Sequence, residues 1–172
     1  MIALVDGRPR SLGLKDMILA YRDWREEVIR RRTQYLLDRA EERAHIVEGL
    51  VKALDLIDEI IALLKASPDI PSARSGLVSQ FEFSERQADA ILAMRLSRLT
   101  ALEREKLEKE LTDLREKIDG YKAILADIRL VHEIIRNDIM EIRERFGDER
   151  RTEIAAPLLE IEDEDLIPVE RV

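Results

Sequence analysis

The chain has 172 residues and a formal net charge of −8; 38% of its residues are charged and only 4% are aromatic. This composition indicates long helices with much solvated surface, and the acidic balance gives no overall basic field for gripping nucleic acid. The chain has no cysteine, which excludes disulfides, thiolate metal sites and cysteine nucleophiles. No segment approaches the roughly 18 uninterrupted apolar residues of a membrane span, so we expect a cytoplasmic protein with no membrane contact.

Residues 1–13 are predicted to form a β-hairpin. Ile2, Leu4 and Val5 lead into Asp6 and Gly7, the pair favoured where a two-residue turn needs positive φ. An isolated hairpin is only marginally stable in water, so these strands are expected to belong to a larger sheet that this chain does not supply.

Residues 14–66 are predicted to form one long descending helix, because no proline and only Gly49 interrupts the helical pattern before Pro68. At 1.5 Å per residue its length would be roughly 80 Å. Apolar residues are less regular in its first half, where they include Trp24 and Tyr35. The second half repeats at alternating steps of three and four residues, which is typical of a coiled-coil seam. The predicted seam residues of this helix are Val47, Leu50, Leu54, Ile57, Ile61 and Leu64.

Residues 67–99 are predicted to form a small helical head. Ser67 and Pro68 stop the long helix, and one short helix is expected around 73–81. A second is expected to begin at Ser84, because a serine and a glutamine three residues apart, here Ser84 and Gln87, can cap each other's free amides.

Residues 100–146 are predicted to form a returning helix that ends at Gly147 and packs antiparallel to the first. Residues 147–172 are expected to form a re-entry segment and an extended acidic linker. The fold class is therefore mainly α: a long antiparallel two-helix coiled coil with a helical head, a short N-terminal β-hairpin and an extended C-terminal tail. The predicted seam residues of the returning helix are Leu107, Leu111, Leu114, Ile118, Tyr121, Leu125, Ile128, His132, Ile135, Ile139, Ile142 and Phe146.

Several stretches of the chain resemble the A subunits of bacterial DNA gyrase, a type IIA topoisomerase. The most specific is QADAILAMRLSRLTALEREKL at 87–107, and RRTQYLLDRAEERAHIVEGLVKALDLIDEII at 31–61 resembles the descending coiled-coil helix of that family. FGDERRTEI at 146–154 is similar to the segment where the family's coiled coil re-enters the body. IALVDGRPR at 2–10 and EDEDLIP at 162–168 resemble the strand pair before the arm and the approach to the DNA-wrapping domain.

The resemblance implies a non-catalytic fragment that contains the arm and the exit gate, at which two subunits meet and release a transported DNA duplex. It implies a homodimer through the head, DNA passing transiently between the arms, and a gyrase B subunit bound elsewhere in the full enzyme. A toxin or inhibitor protein could bind at the gate. No cofactor is expected in this fragment, because ATP and Mg²⁺ would be bound elsewhere in the parent enzyme. The family's catalytic tyrosine would lie upstream, and Tyr21, Tyr35 and Tyr121 are predicted to lie within helices.

Three groups of residues are candidates for function. The first is a dimer patch in the head that comprises Leu77, Phe81, Ile91, Met94 and Leu96. The second is His132, the one strongly polar seam residue, which could be a pH-sensitive lock or could simply fix register or reach solvent. The third is the basic run Arg30, Arg31 and Arg32, for which contact with DNA competes with a solvated face that pairs with nearby acids.

Two other interpretations remain open from the sequence. One is the arm of a topoisomerase IV A-type subunit, and the other is a stand-alone helical hairpin that binds a partner protein between its tips. A third, an enzyme acting alone, would require cleavage or relaxation of DNA by this fragment.

Overall fold

The computed structural model describes residues 1–95 and 101–154. Within them it confirms the mainly α fold with an N-terminal hairpin, while the predicted tail beyond residue 154 lies outside the described residues. The chain divides into two compact units, Met1–Asn137 and Asp138–Val172. The elements are β1 (Ile2–Val5), β2 (Arg8–Ser11), α1 (Leu14–Asp55), α2 (Ile57–Ala66), α3 (Ile70–Phe81), α4 (Glu85–Leu92), α5 (Ala101–Ala126) and α6 (Ile128–Phe146).

The N-terminal hairpin forms as predicted, with its turn at Asp6 and Gly7. Strands β1 and β2 pair antiparallel, with Val5 opposite Arg8. Asp6 and Gly7 have φ values of 53° and 73°, which is the geometry of a type I′ turn and favours small residues at both positions. Ile2 and Leu4 are 80% and 75% exposed, so the hairpin buries little of its own apolar surface.

The descending helix is divided at one residue rather than continuous. Leu56 has φ −107° and ψ 24°, outside the helical range, and α2 begins at Ile57. Beyond the interruption Ile60 is 1% exposed, whereas the predicted seam residues Ile57 and Ile61 are only partly buried. Helix α2 ends at Ala66, before Pro68, as expected.

The returning helix is also divided, at Asp127. The Asp127 carboxylate accepts a hydrogen bond from the backbone N–H of Arg129 at 2.9 Å, as an N-cap residue does at the start of a new helix. Across the break the Nη1 of Arg30 on α1 donates to the carbonyl of Leu125 at 3.4 Å. At this position the Asp127 side chain therefore bonds a backbone N–H that a continuous helix would bond to a backbone carbonyl.

Helices α1 and α5 run antiparallel. Arg43 pairs with Glu110, and Asp55, further along α1, pairs with Arg104, earlier in α5. Two clusters of buried residues hold α1 against the returning helices, the larger against α5 and the smaller against α6. The larger lies where the head meets α1 and α5, and it includes Val47, Leu50, Leu54, Ile60, Leu77, Phe83, Ala88, Ile91 and Leu107. The smaller comprises Ile29, Val131 and Ile135.

The head consists of two short helices, α3 and α4, which pack on α2 and α1. Asp69 caps α3 by accepting from the backbone N–H of Ser72 at 2.8 Å. Hydrogen bonds from the Ser72 side chain and from its backbone N–H lower the pKa of Asp69. Gly76 lets α3 approach α2 closely, since a Cβ there would lie 2.9 Å from a methyl carbon of Leu63. Arg74 on α3 pairs with Asp89 on α4 at 2.6 Å.

The second unit begins within α6, and its described residues extend to Ile154. Glu141 pairs with Arg145 at 2.7 Å on the helix surface, and the N–H of Gly147 closes the last turn on the carbonyl of Arg143 at 2.8 Å. The returning helix therefore ends at Phe146, immediately before the predicted Gly147.

Candidate functional site: the head and the paired helices

Helix α4 is attached to α1 by a polar node around Gln87. The predicted capping box is confirmed: Ser84 Oγ accepts from the N–H of Gln87 at 3.3 Å, and Gln87 Oε1 accepts from the N–H of Ser84 at 3.0 Å. The Nε2 of Gln87 also donates to the carbonyl of His45 at 2.8 Å, and the ring Nε2 of His45 lies 2.7 Å from Ser84 Oγ. One side chain thus starts a helix and fixes it to its neighbour.

Gly49 provides the space for this node. A Cβ at Gly49 would lie 2.6 to 2.9 Å from the Cβ, Cγ and Cδ of Gln87, which is closer than carbon atoms pack. The sequence contains a signal for this contact, since Gly49 is the one glycine between Gly13 and Gly76. Only the folded chain shows that Gln87 is what the glycine accommodates.

Lys52 anchors the link between the two head helices. Its Nζ donates to the carbonyl of Phe81 at 2.6 Å and lies 4.7 Å from the centre of the Phe83 ring. Between them Glu82 adopts φ 56°, a left-handed conformation that ends α3 and turns the chain towards α4. Phe83 is 2% exposed, so the link is held by an apolar side chain and a cation together.

The candidate dimer residues of the head differ in how deeply they are buried. Leu77 and Ile91 are 0% and 4% exposed within the head's own core, so they hold the head together and present no surface to a second molecule. Phe81 and Met94 are partly buried against the same core. Leu96 lies outside the described residues. The sequence could not separate these roles, because helix periodicity shows which residues are apolar but not which neighbour covers them.

The seam is closest to the prediction near the head. Val47, Leu50, Leu54 and Leu107 are buried, and Leu64, Leu111 and Leu114 pack against them. Further along, Ile118, Tyr121 and Leu125 are partly buried. In the first half of α1, Ile29, Thr33 and Leu37 are buried, whereas Trp24 and Tyr35 are 54% and 59% exposed.

His132 lies beside the seam rather than in it. Beyond the break at Asp127, Val131 and the predicted seam residue Ile135 are 0% and 6% exposed, while the predicted seam residue Ile128 is 42% exposed. The Nε2 of His132 lies 2.6 Å from Glu26 Oε1 on α1, and the histidine side chain is 46% exposed. The imidazole therefore reaches solvent and pairs across the two helices. In the second unit, the predicted seam residues Ile139, Ile142 and Phe146 are 45%, 53% and 76% exposed.

The three arginines of the basic run point in different directions. Arg30 is partly buried and donates to the Leu125 carbonyl. Arg31 is exposed and approaches Glu27 at 3.5 Å, one turn earlier on the same helix. Arg32 is exposed on the opposite flank of α1. The run is therefore not one continuous patch.

Ion pairs join the second half of α1 to α5. Arg43 contacts Glu110 at 2.7 Å, and this hydrogen bond raises the pKa of Arg43. Glu48 contacts Arg115 at 2.7 Å, and Glu41 contacts Lys122 at 2.8 Å. Exposed pairs of this kind stabilise little individually, but their alternating signs favour a single register.

Neither a metal cluster nor a membrane span appears in the described part of the chain. No three histidine or acidic side chains within 1–95 and 101–154 are grouped closely enough to hold a metal ion. No helix in those ranges is both long and apolar enough to cross a bilayer. Tyr21, Tyr35 and Tyr121 all lie within helices, the first two exposed on α1 and the third partly buried on α5.

Comparison with known proteins gives a single family. The family model for the A subunits of DNA gyrase and topoisomerase IV matches residues 1–140. The chain is 50% identical over 167 residues to the DNA gyrase A subunit of Aminobacterium colombiense, covering 97% of this chain and 20% of that protein. It is 51% identical over 173 residues to the corresponding gyrase protein of Staphylococcus epidermidis, covering 100% and 19%.

The chain therefore spans about a fifth of the length of these curated relatives. The family match extends over the hairpin, the paired helices and the head, which are the elements that the resemblance in the sequence had indicated. The chain belongs to the family of the A subunits of DNA gyrase and topoisomerase IV.

Proposed function

We propose that this chain is the coiled-coil arm and exit-gate dimerisation region of a type IIA topoisomerase A subunit. The observation that carries the proposal is the head: helices α3 and α4 are fixed on α1 by Gln87 and Lys52, at the point where the chain turns from α1 back to α5. A rigid head at the turn of two paired helices is suited to meet a second copy of itself.

The proposed gate mechanism depends on the stiffness of the paired helices. Helix α1 is 42 residues long, about 63 Å at 1.5 Å per residue, and its ion pairs and buried seam fix it against α5. Movement at the base of such an arm is transmitted to the head. Two heads in contact would close one end of a cavity between the arms, and their transient separation would release a DNA duplex.

The surface for this contact would come from the apolar side chains that the head leaves uncovered. Ile70, at the start of α3, is 66% exposed, and Val78 on the same helix is 36% exposed. Leu102, at the start of α5, is 62% exposed. Phe81 and Met94 remain candidates at the edge of the core, whereas Leu77 and Ile91 support the surface from beneath.

Catalysis and the other partners would belong to the parent protein. We propose that this region contributes no nucleophile and binds neither ATP nor Mg²⁺. Cleavage of DNA, and association with a B subunit that hydrolyses ATP, would involve other parts of the enzyme. Supercoiling or decatenation then depends on this region only through release of the transported duplex.

Analytical ultracentrifugation of the 172-residue chain tests the proposal. We expect a concentration-dependent equilibrium between monomer and dimer. Substitution of Val78 by Asp should shift it towards monomer without loss of helical circular dichroism. A chain that remains monomeric at all micromolar concentrations would contradict the gate function.

Cross-linking locates the contact, because the chain contains no cysteine. Met94→Cys should give covalent dimers on mild oxidation, whereas Glu116→Cys, exposed on α5 away from the head, serves as the matched control. Equal cross-linking of the two variants would place the interface elsewhere.

A further inference from the structure

Helices α2 and α3 form one segment of the head, residues 57–81. The two helices pack closely on each other at Leu63 and Gly76. The segment carries Ile70 and Val78, two of the exposed apolar side chains from which the gate contact is proposed to form. The orientation of this segment on α1 would therefore decide where that contact surface lies.

Both ends of the segment meet at Lys52, in the last turn of α1. The backbone carbonyl of Lys52 accepts from the N–H of Leu56 at 3.3 Å, directly before the segment begins. The Nζ of Lys52 donates to the carbonyl of Phe81 at 2.6 Å, at the residue where the segment ends. One residue of the arm helix thus binds the chain both where it leaves α1 and where α3 ends.

The end of the segment is a turn that its own residues do not favour. Glu82 has φ 56° and ψ 34°, a left-handed conformation that residues other than glycine seldom adopt. Within the turn, the N–H of Glu82 donates to the carbonyl of Leu77. From outside it, the Nζ of Lys52 contacts both neighbours of Glu82, because it bonds to Phe81 and lies 4.7 Å from the centre of the buried Phe83 ring. A cation of α1 therefore supports the turn.

The acidic residues nearest to Lys52 along α1 pair with other residues. Glu48, one turn earlier, contacts Arg115 at 2.7 Å. Asp55, three residues later, contacts Arg104 at 2.5 Å. Both arginines belong to α5, so the charge of Lys52 is used to bind the head rather than to form an ion pair within its own helix.

We propose that Lys52 is the positioning residue of the gate: it fixes the segment 57–81, and with it the exposed side chains of α3, on the arm helix. Ile60 and Leu77 of the segment are buried in the core that it shares with α1 and α4. Burial of apolar surface is not directional, whereas a hydrogen bond fixes an orientation. That the segment then meets a second copy rests on the proposed function.

Hydrogen exchange of the 172-residue chain, followed by mass spectrometry, tests this attachment. Lys52→Met keeps an apolar stem but cannot donate to the Phe81 carbonyl, so amides within 57–81 should exchange about 10-fold faster. Lys52→Arg retains a cationic donor and should exchange like the unaltered chain. The matched control Lys65→Met removes an exposed lysine from α2 and should also leave the exchange unchanged.

Sedimentation equilibrium of the same four proteins tests whether the orientation of the segment matters to the gate. The Lys52→Met chain should dimerise at least about 5-fold more weakly, the lower end of the coupling found between separate sites, while its helical circular dichroism is unchanged. Lys52→Arg should restore the association. A residue that only stabilised the head would change the exchange but not the dissociation constant of the dimer.

The two measurements separate this inference from the gate itself. Equal exchange in Lys52→Met and Lys65→Met, or faster exchange spread evenly over α1 and α5, would overturn the inference. A dimer of unchanged affinity in Lys52→Met would also overturn it, and would retain the gate. A monomeric unaltered chain would refute the proposed function and, with it, the positioning of a gate, even if the exchange of 57–81 still depended on Lys52.

Discussion

Substitution of Gly49 by alanine tests how closely the head packs on α1. In the interior of a solvated helix, replacing glycine by alanine stabilises a protein by about 1 kcal/mol, because glycine loses more backbone entropy on folding. At Gly49 the new methyl group would lie 2.6 Å from Cγ and 2.9 Å from Cβ of Gln87. Rotation of the glutamine side chain cannot relieve contact with its Cβ, so α4 itself must shift.

The magnitude follows from what Gln87 would lose. Its hydrogen bonds to the His45 carbonyl and to the Ser84 N–H contribute about 1 kcal/mol each, and residual overpacking costs about 1 kcal/mol more. Against the helix-propensity gain of about 1 kcal/mol, we expect Gly49→Ala to destabilise the chain by about 2 kcal/mol. The assay is urea unfolding followed by circular dichroism.

Gly120 supplies the matched control. It also lies within a long helix, α5, but a Cβ there would meet nothing within 4 Å. Gly120→Ala should therefore stabilise the chain by about 0.5 to 1 kcal/mol, opposite in sign to Gly49→Ala. A double-mutant cycle with Gln87→Ala should show coupling of about 1 to 2 kcal/mol. If Gly49→Ala is as stable as the unaltered chain, the close packing of α4 on α1 is refuted.

Three further variants test other contacts. Leu77→Ala should cost about 3 kcal/mol in urea unfolding because Leu77 is fully buried; a loss no larger than that of the partly exposed Val78→Ala would contradict its place in the core. Hydrogen bonding at the start of α3 lowers the pKa of Asp69 below its ordinary 3.8, so its stabilisation is complete above pH 3.8 and disappears as the pH falls through the folded-state value. The melting temperature of Asp69→Ala should accordingly lie below that of the unaltered chain at neutral pH and converge with it in acid; a constant gap would refute the cap. Arg30→Gln should cost about 1 kcal/mol and speed amide exchange near the end of α5, whereas equal effects from Arg31→Gln would mean that the Leu125 contact is immaterial.

The sequence determined the elements that depend on short-range chemistry. Asp6 and Gly7 specify a tight turn by their tolerance of positive φ, Pro68 stops a helix because it lacks an N–H, and Ser84 with Gln87 forms a capping box. The apolar repeat of Leu107, Leu111 and its neighbours required a partner helix for the same kind of reason, since an apolar stripe must be covered. The antiparallel hairpin with a helical head followed from these signals.

Tertiary structure decided which apolar residues face inward and which polar residues meet. Beyond the breaks at Leu56 and Asp127, Ile60 and Val131 are more deeply buried than the predicted seam residues Ile61 and His132. Periodicity could not reveal this, because it identifies an apolar stripe but not which of its members a neighbouring helix covers most completely. Gln87 and Gly49 are 38 positions apart, and no local rule pairs them. The separation of the head's supporting core from its exposed surface likewise depends on contacts between distant parts of the chain, which only the folded molecule contains.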